Sequence, residues 1–173
     1  MGVLQNSWSN AWLVLRTKSR REKLVEGFLH RHGITSFLPR RSELRKWHDR
    51  TKALETVLFP GYVFVQPNAC QFATLRHAHG SLGLLFSGGA PARVSDREIE
   101  AIRIVVGSGE PLLVNVDFAP GQYVEVIGGP FAGAHGEFVR MKNGRRLIIK
   151  ADVIGQSVCV EIDASQIRAV EPA

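Results

Sequence analysis

The stretch Leu58-Phe59-Pro60-Gly61-Tyr62-Val63-Phe64-Val65 decides how this chain is read. Proline holds φ near −65° and glycine opens backbone angles closed to other residues, so Pro60-Gly61 is a turn that aims the strand after it. Side chains alternate along a strand. Tyr62 and Phe64 therefore share one face, while Val63 and Val65 point the other way into a core. Two readings stay open for the aromatic face: packing inside a sheet covered on both sides, or a groove that receives a partner.

Working outward, Trp12 to Arg16 is short and apolar, as a central strand is. Ser19-Arg20-Arg21-Glu22 has the form of a capping box and predicts a helix start. Leu24, Val25, Phe28 and Leu29 form its apolar stripe, and Gly33 is placed to end it in a left-handed conformation. Beyond Phe37-Leu38-Pro39, a basic segment to Lys52 predicts a long hairpin with its tip near Trp47-His48-Asp49-Arg50. After the aromatic strand, a short helix is expected over Cys70 to His77. A strand over Leu82 to Phe86 follows, ended by Gly88-Gly89. Ser95-Asp96-Arg97-Glu98 repeats the capping-box pattern before Ile99, Ile102, Val105 and Val106, a helix predicted to close near Gly107.

These elements predict an α+β chain whose N-terminal part is an α/β sandwich, an antiparallel-rich sheet with helices packed on it. The first ten residues read as a flexible leader, 11–107 as the first domain and 108–117 as a linker. From 118 to 173 short β-rich runs separated by glycine turns, including Asn143-Gly144, predict five strands in a small SH3-like barrel.

Composition narrows the function classes. The chain has 173 residues, 45% of them hydrophobic, and disorder over its whole length is excluded. No apolar run approaches the roughly 18 to 20 residues of a membrane helix, and Gln5-Asn6-Ser7 is too polar for a signal peptide, so a cytoplasmic protein without membrane contact is expected. Cys70 and Cys159 stand alone, predicting free thiols and neither disulfide nor zinc site. Net charge is +6, yet the segment from Arg16 to Lys52 holds twelve basic against four acidic residues. Such crowding points to a polyanion partner.

Catalysis finds little support. His77 and His79 lack an acidic or thiol companion, and His30 and His32 turn to different helix faces. Glu98 and Glu100 suit the positive end of a helix better than acid/base work. Gly128-Gly129-Pro130 is followed by neither Lys-Ser/Thr nor a helix, so it is no phosphate loop. No catalytic residue, metal or cofactor is assigned.

The Leu58–Val65 motif resembles the signature of the N-terminal domain of the NusG family of bacterial transcription factors. Pro120-Gly121-Gln122-Tyr123-Val124-Glu125-Val126, followed by Gly129-Pro130-Phe131-Ala132-Gly133-Ala134-His135-Gly136, resembles the KOW barrel motif that follows it in that family. Trp12-Leu13-Val14-Leu15 resembles the opening strand, so the likeness runs from Trp12 to the C-terminus. It implies an elongation or antitermination factor whose N-terminal domain grips the clamp helices of RNA polymerase through Phe59, Tyr62, Phe64 and Phe86. It implies contact of Lys18, Arg20 and Arg21 with upstream or non-template DNA, extended by Lys46, Arg50 and Lys52 on the hairpin. Trp47 has two readings, a base-stacking platform or a pin for the hairpin. Phe131, Ala134, Val153 and Ile154 fall on the barrel surface that meets a ribosomal protein or Rho in relatives.

The hairpin Lys46-Trp47-His48-Asp49-Arg50-Thr51-Lys52 is more similar to specialised members of RfaH and UpxY type, which act on selected operons. Ile154-Gly155-Gln156 stands where housekeeping members carry Phe-Gly-Arg, and Ala134 where they carry Phe, which sets the ribosome or Rho partnership in doubt. The barrel is expected to be constitutive, unlike the helical hairpin that RfaH can form. Gly128, Gly129, Pro130, Gly133, Gly136, Gly144 and Gly155 would each penalise a helix, by about 1 kcal/mol for glycine and about 3 for proline. A monomer is expected. Two alternatives differ in partner: a housekeeping factor coupling polymerase to Rho or ribosome, and a stand-alone RNA-binding barrel using Arg140, Lys142, Arg145, Arg146 and Lys150.

Overall fold

The structure is a computed structural model that describes residues 8–46, 51–114, 121–141, 144–151 and 154–171. The chain divides into two compact units, Met1–Ser95 and Asp96–Ala173.

In the first unit, the apolar run Trp12–Thr17 is strand β1, the centre of a five-stranded antiparallel sheet. The aromatic strand β5 (Tyr62–Gln66) pairs along one side of it, with β2 (Thr35–Phe37) beyond. The other side of β1 takes β6 (Ser81–Leu84) and β9 (Arg93–Val94). Between β2 and β5, β3 (Arg40–Lys46) and β4 (Thr51–Val57) form the predicted hairpin, paired from Arg40 opposite Val57 to Lys46 opposite Thr51. Its tip, including Trp47 and Arg50, lies outside the described residues. A second small hairpin, β7 (Phe86–Ser87) with β8 (Ala90–Pro91), turns on Gly88 and Gly89, both at positive φ.

Helix α1 (Glu22–Arg31) lies over one face of this sheet. Val25 and Leu29 pack with Leu13, Leu15, Val63 and Val65, as strand alternation predicts. Its end is a Schellman motif: the Gly33 N–H donates to the His30 carbonyl and the Ile34 N–H to that of Leu29, with Gly33 at φ +64°. Its start differs from the sequence reading. Arg21 occupies the cap position with no side-chain cap bond, and Arg20 takes φ +62° in the preceding turn. Glu22 does not reach back along the helix; its carboxylate goes to a residue remote in sequence. The short helix predicted over Cys70 to His77 narrows to α2 (Phe72–Leu75).

Of the stretch read as leader, residues 8–10 lie within the described residues and make contacts. Trp8 packs against the core, and the Asn10 N–H donates to the Pro67 carbonyl at 2.9 Å. A tryptophan next to polar residues gives no periodic signal, so only the tertiary contact reveals that it is anchored.

In the second unit, α3 (Asp96–Gly107) buries Ile99, Ala101, Ile102 and Val105 and packs on the two strands His135–Met141 and Gly144–Ala151 of a six-stranded antiparallel sheet. That sheet runs β10 (Leu113–Val114), β14 (Gln156–Glu161), β13 (Gly144–Ala151), β12 (His135–Met141), β11 (Gln122–Val126), β15 (Ile167–Ala169). Five strands lie where the β-rich runs between glycine turns placed them. At the junction the compact units divide before α3, whereas the sequence reading sets its first boundary at 107, and Leu113-Val114, read as linker, pairs with Cys159 and Val158. Periodicity identifies a helix but not the sheet that receives its stripe, and the short run Leu112-Leu113-Val114 beside Pro111 carries no alternation to signal a strand.

Candidate functional site

Phe59-Pro60-Gly61-Tyr62 folds as a tight turn in which the Tyr62 N–H donates to the Phe59 carbonyl at 3.3 Å. Gly61 sits at φ +86° in its third position, the arrangement of a type II turn, where proline before glycine is favoured. Both polar groups of Gly61 are taken. Its carbonyl accepts from the Thr17 N–H at 2.8 Å, and its N–H donates to Glu22 Oε1 at 2.8 Å. The turn is thus held between the end of β1 and the first turn of α1.

The four rings expected in the groove separate into two kinds. Phe59 and Phe64 are fully buried and meet edge to face, and Phe37 stacks on Phe64. Tyr62 is half-buried opposite Arg16 of β1. Phe86 is 60% exposed on the small β7–β8 hairpin. Alternation put Tyr62 and Phe64 on one face; the depth of each ring was not legible, because it depends on what covers the face at that point. Phe86 belongs instead to an apolar groove of about 820 Å³ lined by Trp8, Phe72, Leu82, Leu84 and Pro91 as well, with Arg76 and His77 among its polar lining.

Lys18, Arg20 and Arg21 are all exposed on the β1–α1 turn, and Arg16 is exposed just before them. This turn leans on a second loop: the Lys18 N–H donates to the Gly80 carbonyl at 2.8 Å, and a side chain at Gly80 would press on Arg21 Cβ. Lys46 and Lys52 occupy paired strands of the hairpin near its tip, and Arg50 lies outside the described residues. The hairpin base is tied to α1 by charge. Arg40 bridges Glu26 and Glu55, and Lys23 pairs with Glu55 at 3.0 Å. The Lys23 hydrogen bond, with its charge and that of Arg40, holds the Glu55 carboxyl below its ordinary range.

On the second unit, Phe131 and Ala134 are buried, Ile154 is half-exposed, and Val153 lies outside the described residues. Among the described residues no group of three or more His, Cys, Asp or Glu could hold a metal ion, and no helix is long and apolar enough to cross a membrane.

A sequence model of the family described as transcription termination factor NusG matches residues 10–103, the span from the start of β1 into α3. The chain belongs to the NusG family. The NusG protein of Pseudomonas aeruginosa, named as a transcription termination/antitermination protein, is 35% identical over 67% of this chain and 68% of its own. That of Lactococcus lactis is 27% identical over 95% of this chain and 96% of its own. A solved structure of Thermotoga maritima NusG, described by its domain interaction, covers 93% of this chain and 97% of its own, with a TM-score of 0.48 and 24% identity. The names of these relatives place the family among transcription termination and antitermination factors.

The residue that sequence reasoning placed wrongly is Glu22. Its spacing from Ser19 fits a capping box, and nothing local distinguishes that role from a bond to a loop 39 residues away.

Proposed function

We propose that this NusG-family chain is a transcription elongation and antitermination factor whose first unit binds the clamp helices of RNA polymerase. The observation that carries the reading is the Phe59–Tyr62 turn, fixed from both sides and presenting Tyr62 beside Arg16 at the edge of an aromatic cluster. Tyr62 supplies the contact ring. Phe59 and Phe64 form the rigid base beneath it, and Phe86 adds an accessible apolar ring on a separate hairpin. An amphipathic helix is the partner that such apolar and aromatic surface suits. By binding the elongating state more tightly than the paused one, the factor shifts the polymerase toward processive synthesis.

The exposed Lys18, Arg20 and Arg21 pair with phosphates of upstream or non-template DNA irrespective of sequence, and the hairpin through Lys46, Arg50 and Lys52 extends the track. On the second unit the partner surface is the one that includes half-exposed Ile154, with Phe131 and Ala134 buried. The absence of aromatic residues at positions 134 and 154 favours a specialised factor serving selected operons over a housekeeping link to Rho or ribosome.

The test is binding of the full chain to a polymerase clamp-helix peptide, with Tyr62→Ala beside the wild type. Wild-type binding that Tyr62→Ala weakens supports the reading. No wild-type binding overturns it, and tight RNA binding by the same protein would then favour the RNA-module alternative.

A further inference from the structure

Glu22 is only 4% exposed, and burying a carboxylate is costly unless donors satisfy it. Two features meet that need. It stands in the first turn of α1, where unpaired N–H groups favour negative charge, and it accepts the Gly61 N–H in a charge-assisted bond. The bond's geometry gives it a second consequence. The Gly61 carbonyl is already held by the Thr17 N–H of β1, so the bond to Glu22 removes the remaining freedom of the turn to rotate. The next residue is Tyr62, whose N–H closes the same turn on Phe59.

We infer that Glu22 is a positioning residue: it locks the Pro60-Gly61 turn onto α1 and so sets the direction in which Tyr62 is presented to its partner. The functional consequence rests on the polymerase reading above; the lock on the turn does not. Glu22 touches no partner itself. Its carboxylate is buried, and it acts through the Gly61 peptide.

Two conservative variants separate positioning from a simple helix-end charge. Glu22→Gln keeps the reach and an acceptor oxygen but loses the charge. Glu22→Asp keeps the charge in the first turn but is one methylene too short to reach Gly61. The readouts, taken on the full chain at a temperature where every variant is folded, are hydrogen exchange of the Gly61 amide and affinity for the clamp-helix peptide.

The expected result is a tenfold or greater acceleration of Gly61 exchange in Glu22→Asp, with Glu22→Gln within about threefold of wild type. Peptide affinity follows the same order. The reverse order, with Asp like wild type and Gln impaired, overturns the inference in favour of a helix-dipole role, as does Gly61 exchange that neither variant moves. Altered exchange with unaltered affinity in Glu22→Asp overturns the claim that the turn directs Tyr62. If the wild type fails to bind the peptide, the polymerase reading fails, and the Gly61 exchange still decides whether Glu22 locks the turn.

Discussion

Phe59 meets Phe64 edge to face, their ring centroids 6.0 Å apart and their planes at 87°, both rings without accessible surface. This contact joins the residue before the Pro-Gly turn to the middle of the strand after it, so the turn is braced from within as well as by Glu22 and Thr17. Edge-to-face pairing aligns the positive rim of one ring with the negative face of the other and adds to the area both rings bury.

Truncating either ring should therefore act on stability first. Phe64→Ala is expected to cost about 3–5 kcal/mol, the range for removing a buried phenylalanine. Tyr62→Ala, at a half-buried position, should cost about 1 kcal/mol in stability yet weaken clamp-helix binding by about 2 kcal/mol, roughly thirtyfold. Denaturant unfolding of both variants beside a binding titration checks this. A Phe64→Ala protein as stable as wild type would contradict the packing described.

The β3–β4 hairpin should loosen in acid. The Glu55 carboxyl is held below the ordinary 4.5 by Lys23 first and Arg40 second, so the folded state binds its proton less readily than the unfolded chain. Its contribution is present above the unfolded value and is lost as pH falls through the lowered folded one. Because Glu55 is exposed, salt should weaken the same link. Protection factors along β4, taken relative to the intrinsic exchange rate at each pH, should fall below about pH 4.5 in the wild type, whereas Glu55→Gln should show the lower protection already at pH 7.

The two cysteines should react in separate phases. Cys70 is exposed and Cys159 is buried on β14, where burial pushes its thiol pKa up. A thiol reagent at neutral pH should modify Cys70 quickly and Cys159 only after unfolding. Equal rates in the native protein would show that β14 opens readily.

Replacing Lys18, Arg20 and Arg21 together by alanine should lower affinity for single-stranded DNA of any sequence. Three lost phosphate contacts should also flatten the dependence of log affinity on log salt by about 2, at roughly 0.7 per contact on a single strand. An unchanged slope would place the DNA elsewhere.

Gly136→Ala should disrupt the second unit. A β-carbon there would lie 2.5 Å from the Ile148 carbonyl oxygen on the adjacent strand, a backbone atom that cannot step aside. Gly33→Ala meets open space and should cost only the strain of φ +64°, about 1 kcal/mol. Thermal melts of the two variants would separate these effects.

Much of this protein is local in origin and so was written in the chain. The short apolar run at Trp12–Arg16 and the alternation at Tyr62–Val65 assigned strands and the core-facing valines of the second, Gly33 ended α1, and turn residues spaced five strands of the second unit. Each depends on backbone preferences and periodicity within a few residues. Where Glu22 sends its carboxylate, how deep Phe59 and Phe64 lie, which sheet receives α3, and whether Trp8 and Leu113 join an element were decided by the tertiary structure. Those outcomes turn on partners far away in sequence: a donor 39 residues on, a facing strand, a covering side chain. A sequence pattern records that a group needs a partner; only the folded chain determines which partner arrives.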